Sequence, residues 1–187
     1  AAVELGRATF TNVRRFLTYH LTDNVAELTP FVVWSLSAGK VPLALTVLQI
    51  LALDIGTDLL PALALGAEPP NRHVLEGPMR TDRLLDGRLL RRVFGVLGPT
   101  EAAVEMLAFI GVLMAGGWVF GAEPSAGLLA VASGTAFTAV VLGQLANAFA
   151  CRSESRWVGA LSWRANPLLL WAVASELASS EACARAA

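Results

Sequence analysis

The chain has 187 residues, of which 55% are hydrophobic and only 16% charged, and its mean hydropathy is +0.59. That balance excludes a disordered chain and an ordinary soluble domain, and points to a protein with several membrane spans. The net charge of −1 leaves no basic surface of the kind a nucleic-acid partner needs, so none is expected.

Apolar stretches run at about 13–36, 43–66, 93–120, 126–150 and 166–180. Most of them reach the ~20 residues that a ~30 Å hydrocarbon core demands of a helix. In lipid a helix satisfies its own backbone polar groups, which an open sheet does not. The predicted fold is therefore all-α, a multi-pass transmembrane helical bundle forming one domain over 1–187. A loop at 67–92 separates the second and third spans. The chain opens on Ala1 rather than Met, and "AAVELGRATFTNVRRF" has no signal-peptide core. The short last stretch is followed by "SSEACARAA", so both ends are expected to be truncated. Cys151 and Cys183 have no metal-ligand spacing and read as thiols rather than a disulfide.

Within the first stretch, "LTDNVAELTPF" sets Asp23, Asn24 and Glu27 on one helix face, with Pro30 a turn later. The second, "LQILALDIGTDLLPALALG", carries Asp54 and Asp58 four apart, with Thr57 beside them and Gly56 between. Each carboxylate at mid-bilayer costs roughly 2.5–3.5 kcal/mol on insertion scales, which only a long run of aliphatic neighbours offsets. Pro61 cannot donate to the Thr57 carbonyl, and Gly56 tolerates unwound backbone, so this helix is expected to be broken. A broken helix at mid-membrane turns carbonyls towards a cavity. With two carboxylates and a hydroxyl they make a hard-oxygen cation site; a kinked packing helix with paired acids is the alternative.

In the third stretch, Glu101 and Glu105 lie four apart near the start of the span. They fit a water-facing vestibule or a local hydrogen-bonded pair at least as well as ion ligands. Gln144 and Asn147 in the fourth stretch serve equally as packing glue or as ligands. Glu176 is a lone acid in the fifth. Arg7, Arg14 and Arg15 lie at the first span, Arg72, Arg80, Arg83, Arg88, Arg91 and Arg92 between spans two and three, and Arg152, Arg156 and Arg164 between four and five. The alternate loops hold only Lys40. By the positive-inside rule the N-terminus and the Arg-bearing loops are cytoplasmic.

"GRATFTNVRRFLTYHLTDNVAELTPF", "LALDIGTDLLPALALGAEPP" and "GPMR" closely resemble the C-terminal membrane domain of type II P-type cation ATPases, the family of the calcium, sodium/potassium and proton/potassium pumps. The resemblance is dense from Gly6 to about Arg92 and thinner to Glu176. It implies that the five spans are the family's fifth to ninth membrane helices. Asn24 and Glu27 match its fifth-helix cation ligands, and Asp54, Thr57 and Asp58 those of its unwound sixth. Gln144 and Asn147 fall where the eighth helix supplies ligands or their neighbours, and Glu176 where the sodium/potassium pump has a ninth-helix acid. Asp23 departs from the pattern, standing where the sodium/potassium pump has Ser and the proton/potassium pump Lys. The implied substrate is a transported cation, Na⁺, K⁺ or Ca²⁺, in a cell membrane, with the lipid bilayer as surroundings. The loop at 67–92 corresponds to the one that couples the membrane domain to the phosphorylation domain.

The family's DKTG phosphorylation sequence and TGE loop do not occur in the chain. ATP and Mg²⁺ are thus expected to act only through upstream cytoplasmic domains of the same pump. The chain would be the ion-handling part of a translocase. The alternatives are a stand-alone or degenerate membrane protein acting as regulator or passive ion pathway, and a structural bundle without ion binding.

Overall fold

The structure is a computed structural model that describes residues 2–68 and 83–152, together with the isolated helical positions 167, 168, 170, 171 and 174. Every element among the described residues is a helix. α1 runs Ala2–Leu36, α2 Val47–Leu53 and α3 Leu59–Gly66, with a π-helical turn, Asp54–Asp58, joining the last two. α4 (Gly87–Arg92) passes through a second π turn, Val93–Leu97, into α5 (Gly98–Ala115), and α6 runs Ala126–Cys151. The expected fifth span, Glu176 and Cys183 lie outside the described residues apart from those five positions.

Local chemistry sets the boundaries. Thr46 caps α2 in a reciprocal box with Gln49, Asp86 caps α4 through the Leu89 amide, and Ser125 caps α6 through that of Leu128. α1 ends in a Schellman turn, in which the Gly39 N–H donates to the Trp34 carbonyl and the Ala38 N–H to that of Ser35. Ala38 takes the left-handed conformation there, at φ 53°, a position that usually favours glycine.

Three continuous helices among the described residues are long and apolar enough to cross a membrane: Val47–Gly66, Gly87–Ala115 and Ala126–Cys151. α1 is longer still but carries a polar stripe. Its Thr18, Thr22, Asn24 and Thr29 side chains donate back to carbonyls four residues earlier in their own helix. The packing is inside-out relative to a soluble protein. Leu48, Ile55, Leu63, Phe94, Leu107 and Leu142 face outwards, while Asp23, Glu27, Asp58, Glu105 and Gln144 are buried. Apolar outer surfaces around a polar interior are what a bilayer solvent selects.

The second helix is not uncoiled at Gly56. Its break takes the form of the π turn Asp54–Asp58, which keeps the chain helical while shifting its hydrogen-bond register. Glycine and a nearby proline license either outcome, and here the helical one wins.

At one end of the bundle Arg14, Arg92 and Arg152 gather. Arg14 reaches the Arg83 and Leu84 carbonyls and Asp86, Arg92 the Ala150 carbonyl, and Arg152 pairs with Glu68 at 2.7 Å. At the other end the Gly121 amide donates to the Lys40 carbonyl, and Ser133 donates to that of Ala44. Two apolar cores flank the middle. One, around Leu45, Leu53, Phe109 and Val140, lies towards the Lys40 end. The other, around Tyr19, Leu65, Ala148 and Cys151, lies towards the arginines.

Candidate cation site

Between those cores α1 packs against α3, α5 and α6, and the polar residues of four segments converge. Asp23 and Glu27 come from α1, Thr57 and Asp58 from the π turn, Glu101 and Glu105 from α5, and Gln144 and Asn147 from α6, all of them buried. Asp54 is half-buried at the start of the π turn.

Three of the acids are each tied by one oxygen to a donor on another segment. Asn147 Nδ2 donates to Asp23 Oδ1 at 2.8 Å, and Gln144 Nε2 to Glu27 Oε1 at 3.2 Å. His20 Nδ1 lies 2.8 Å from Asp58 Oδ2. The Thr57 hydroxyl is 2.9 Å from both Gln144 Oε1 and the Leu53 carbonyl and donates to one of them. The side chains of Asp23 and Asp58 lie within hydrogen-bond reach of each other, and apart from that acid–acid contact Asp23 Oδ2 and Asp58 Oδ1 are buried with no donor. Such tethering orients a carboxylate while leaving one oxygen to offer.

The charge balance is one-sided. Glu27 lies within repulsive range of Asp54, Asp58, Glu101 and Glu105, and Asp23 within that of Asp58 and Glu101. The charges named as acting on Asp23, Glu27, Glu101 and Glu105 are other carboxylates. Two prolines free backbone oxygens nearby, since Pro30 and Pro61 cannot donate to the carbonyls of Ala26 and Thr57. The arrangement is a set of hard oxygens around a positive charge yet to be supplied, not a finished cage. No three His, Cys, Asp or Glu side chains among the described residues are disposed to hold a metal at once.

The structure thus gathers Asp23, Glu27, Thr57, Asp58, Gln144 and Asn147. Asn24 turns its amide to the His20 carbonyl of its own helix at 2.7 Å. Glu176 lies outside the described residues. Glu101 and Glu105 correct the vestibule and local-pair expectations, for both are buried and neither has a hydrogen-bond partner. Sequence reasoning passed over His20 altogether. The signal it left is its place on the α1 stripe, three residues before Asp23 and seven before Glu27.

Residues 42–181 match the family described as "Cation transporting ATPase, C-terminus". The chain belongs to that family. Among relatives of this cation-ATPase chain, the sodium/potassium-transporting ATPase subunit alpha of Tetronarce californica is 33% identical over 120 residues, 63% of this chain and 12% of the relative. That of Drosophila melanogaster is 32% identical over 120 residues, 63% of this chain and 11% of its own length. The alpha-3 subunit of Homo sapiens is 32% identical over 122 residues, 64% of this chain and 12% of its own. The cation-ATPase chain therefore spans about an eighth or less of the relatives it matches.

Proposed function

We propose that this membrane domain forms the transmembrane cation pathway of an ATP-driven pump in the cell membrane. The observation that carries the reading is the set of buried carboxylates of α1 and the π turn, Asp23, Glu27 and Asp58, gathered against the amides of α6. Glu27, Asp54 and Asp58 are the principal ligands, Asp23, Thr57, Asn24, Gln144 and Asn147 complete or orient the set, and Glu176 joins it by resemblance. The substrate is a small inorganic cation, Na⁺, K⁺ or Ca²⁺; the names of the relatives favour the first two. The end that carries Arg14, Arg92 and Arg152 faces the cytoplasm.

ATP and Mg²⁺ act in upstream cytoplasmic domains of the same pump. Phosphorylation there drives the cation only if two conformations of the cluster bind it with different affinity. The π turn, which contains Gly56 and precedes Pro61, is the segment whose register can change between them. The test is cation-stimulated phosphorylation of the intact protein carrying Glu27→Gln or Asp58→Asn. Both variants should lose the stimulation, and retention of wild-type stimulation by both would overturn the reading.

A further inference from the structure

Glu101 and Glu105 differ from the other acids of the cluster. They stand one helical turn apart on one face of α5, about 6 Å along its axis. Both lie in the middle of the 29-residue apolar helix Gly87–Ala115. Glu101 is 7% exposed and Glu105 0%. Asp23, Glu27 and Asp58 each have one oxygen held by a donor, whereas all four oxygens of Glu101 and Glu105 are buried without a hydrogen-bond partner.

α6 is cut away to admit this pair. A Cβ on Gly143 would lie 2.9 Å from Glu101 Cγ and 3.0 Å from Glu101 Oε1. Asp58 acts electrostatically on Glu101 and Glu101 on Asp23, but those two acids have each other and the donors named above, whereas Glu101 and Glu105 have neither. Unpaired carboxylates in the hydrocarbon region are costly and mark ion pathways. We propose that Glu101 and Glu105, beside the Gly143 recess, form a further subsite for an inorganic cation, separate from the tethered cluster. This rests on the cation-pathway reading above. Untethered carboxylates can close on an ion with one oxygen or two, which suits a place where an ion joins or leaves the tethered set. The pair alone is no finished cage, so backbone or water oxygens complete the coordination.

The test is equilibrium binding of ²²Na⁺, ⁸⁶Rb⁺ and ⁴⁵Ca²⁺ to the full-length protein in lipid nanodiscs. A Glu101→Gln, Glu105→Gln double variant should bind fewer cations per protein than the wild type, with the affinity of the remaining ions unchanged. Gly143→Ala keeps both charges but crowds Glu101, and should weaken that same cation about tenfold, the equivalent of one pK unit. It decides the matter alone should the double variant not fold. Wild-type stoichiometry and affinity in both, with binding lost in Asp58→Asn, would overturn the subsite and leave the proposed function standing. Wild-type binding in all three would overturn both. Loss of every ion in the double variant would merge the pair with the tethered cluster and overturn a separate subsite.

Discussion

Two layers of this bundle bury charge, and they do so in opposite ways. At the arginine end every buried charge described above meets its opposite: Arg152 lies against Glu68, and Arg14 against Asp86. In the middle, carboxylates face carboxylates, and neutral amides and one imidazole are all that hold them. The side chains are of the same kinds. The difference is whether the chain completes its own electrostatics, which makes a structural joint, or leaves that to a passing ion, which makes a site.

The largest effect should come from breaking the paired layer. Arg152→Met breaks the buried pair with Glu68 and should cost roughly 3–5 kcal/mol of stability, read by thermal unfolding, while cation affinity holds. An unchanged unfolding temperature would erase the distinction from that side. Asp58→Asn attacks the other layer. It should weaken cation binding by about 100-fold yet leave unfolding little changed, because the asparagine side-chain oxygen can keep the contact with His20. A destabilised Asp58→Asn protein would mark Asp58 as structural after all. Asn147→Leu removes only the donor that orients Asp23 Oδ1 and should cost about tenfold in cation affinity, measured by titration calorimetry.

The smallest effect concerns the rim. The Leu89 amide, and after it Arg14, hold the Asp86 carboxyl below the ordinary value of 3.8. A carboxyl lowered in this way stabilises the fold fully above that ordinary value and loses its contribution as the pH falls through the lowered one. Asp86→Ala should therefore cost about 1 kcal/mol at neutral pH, as a lost helix cap does. The gap between the two unfolding curves should close in strong acid, and one that persists there would refute the capping account.

Features written in local spacing were legible in the sequence. The acids of α1 and of the π turn repeat at three and four residues, and the arginines alternate with the spans, so the all-helical membrane fold and much of the cluster could be read directly. Glu101 and Glu105 were left open between vestibule, local pair and ion ligands. "GRLLRR" looks like loop, yet Asp86 caps it into helix, and what decides between the readings is the burial of both acids against neighbouring helices, which helical spacing alone does not show. His20 was invisible because a lone histidine carries no information until the tertiary position of Asp58 is known. Asn24 shares the face of Asp23 by count, but an asparagine can return its amide to its own helix, and spacing does not reveal that choice. The π turn was foreseen as an interruption and not in kind, since glycine and proline permit several backbones at similar cost.

Three absent methyl groups govern how close the helices stand. A Cβ at Gly98 would meet Val25 at 2.7 Å, one at Gly116 would collide with the Leu128 side chain, and one at Gly143 would press on Glu101. α5 thus lies close against α1 at its beginning and against the Leu128 side chain of α6 at its close. The approach of α5 to α1 at Gly98, where the neighbours are the Val25 Cβ and the Val93 carbonyl, is accordingly set by the main chain, whereas at Gly116 and Gly143 the fit rests on the rotamers of Leu128 and Glu101.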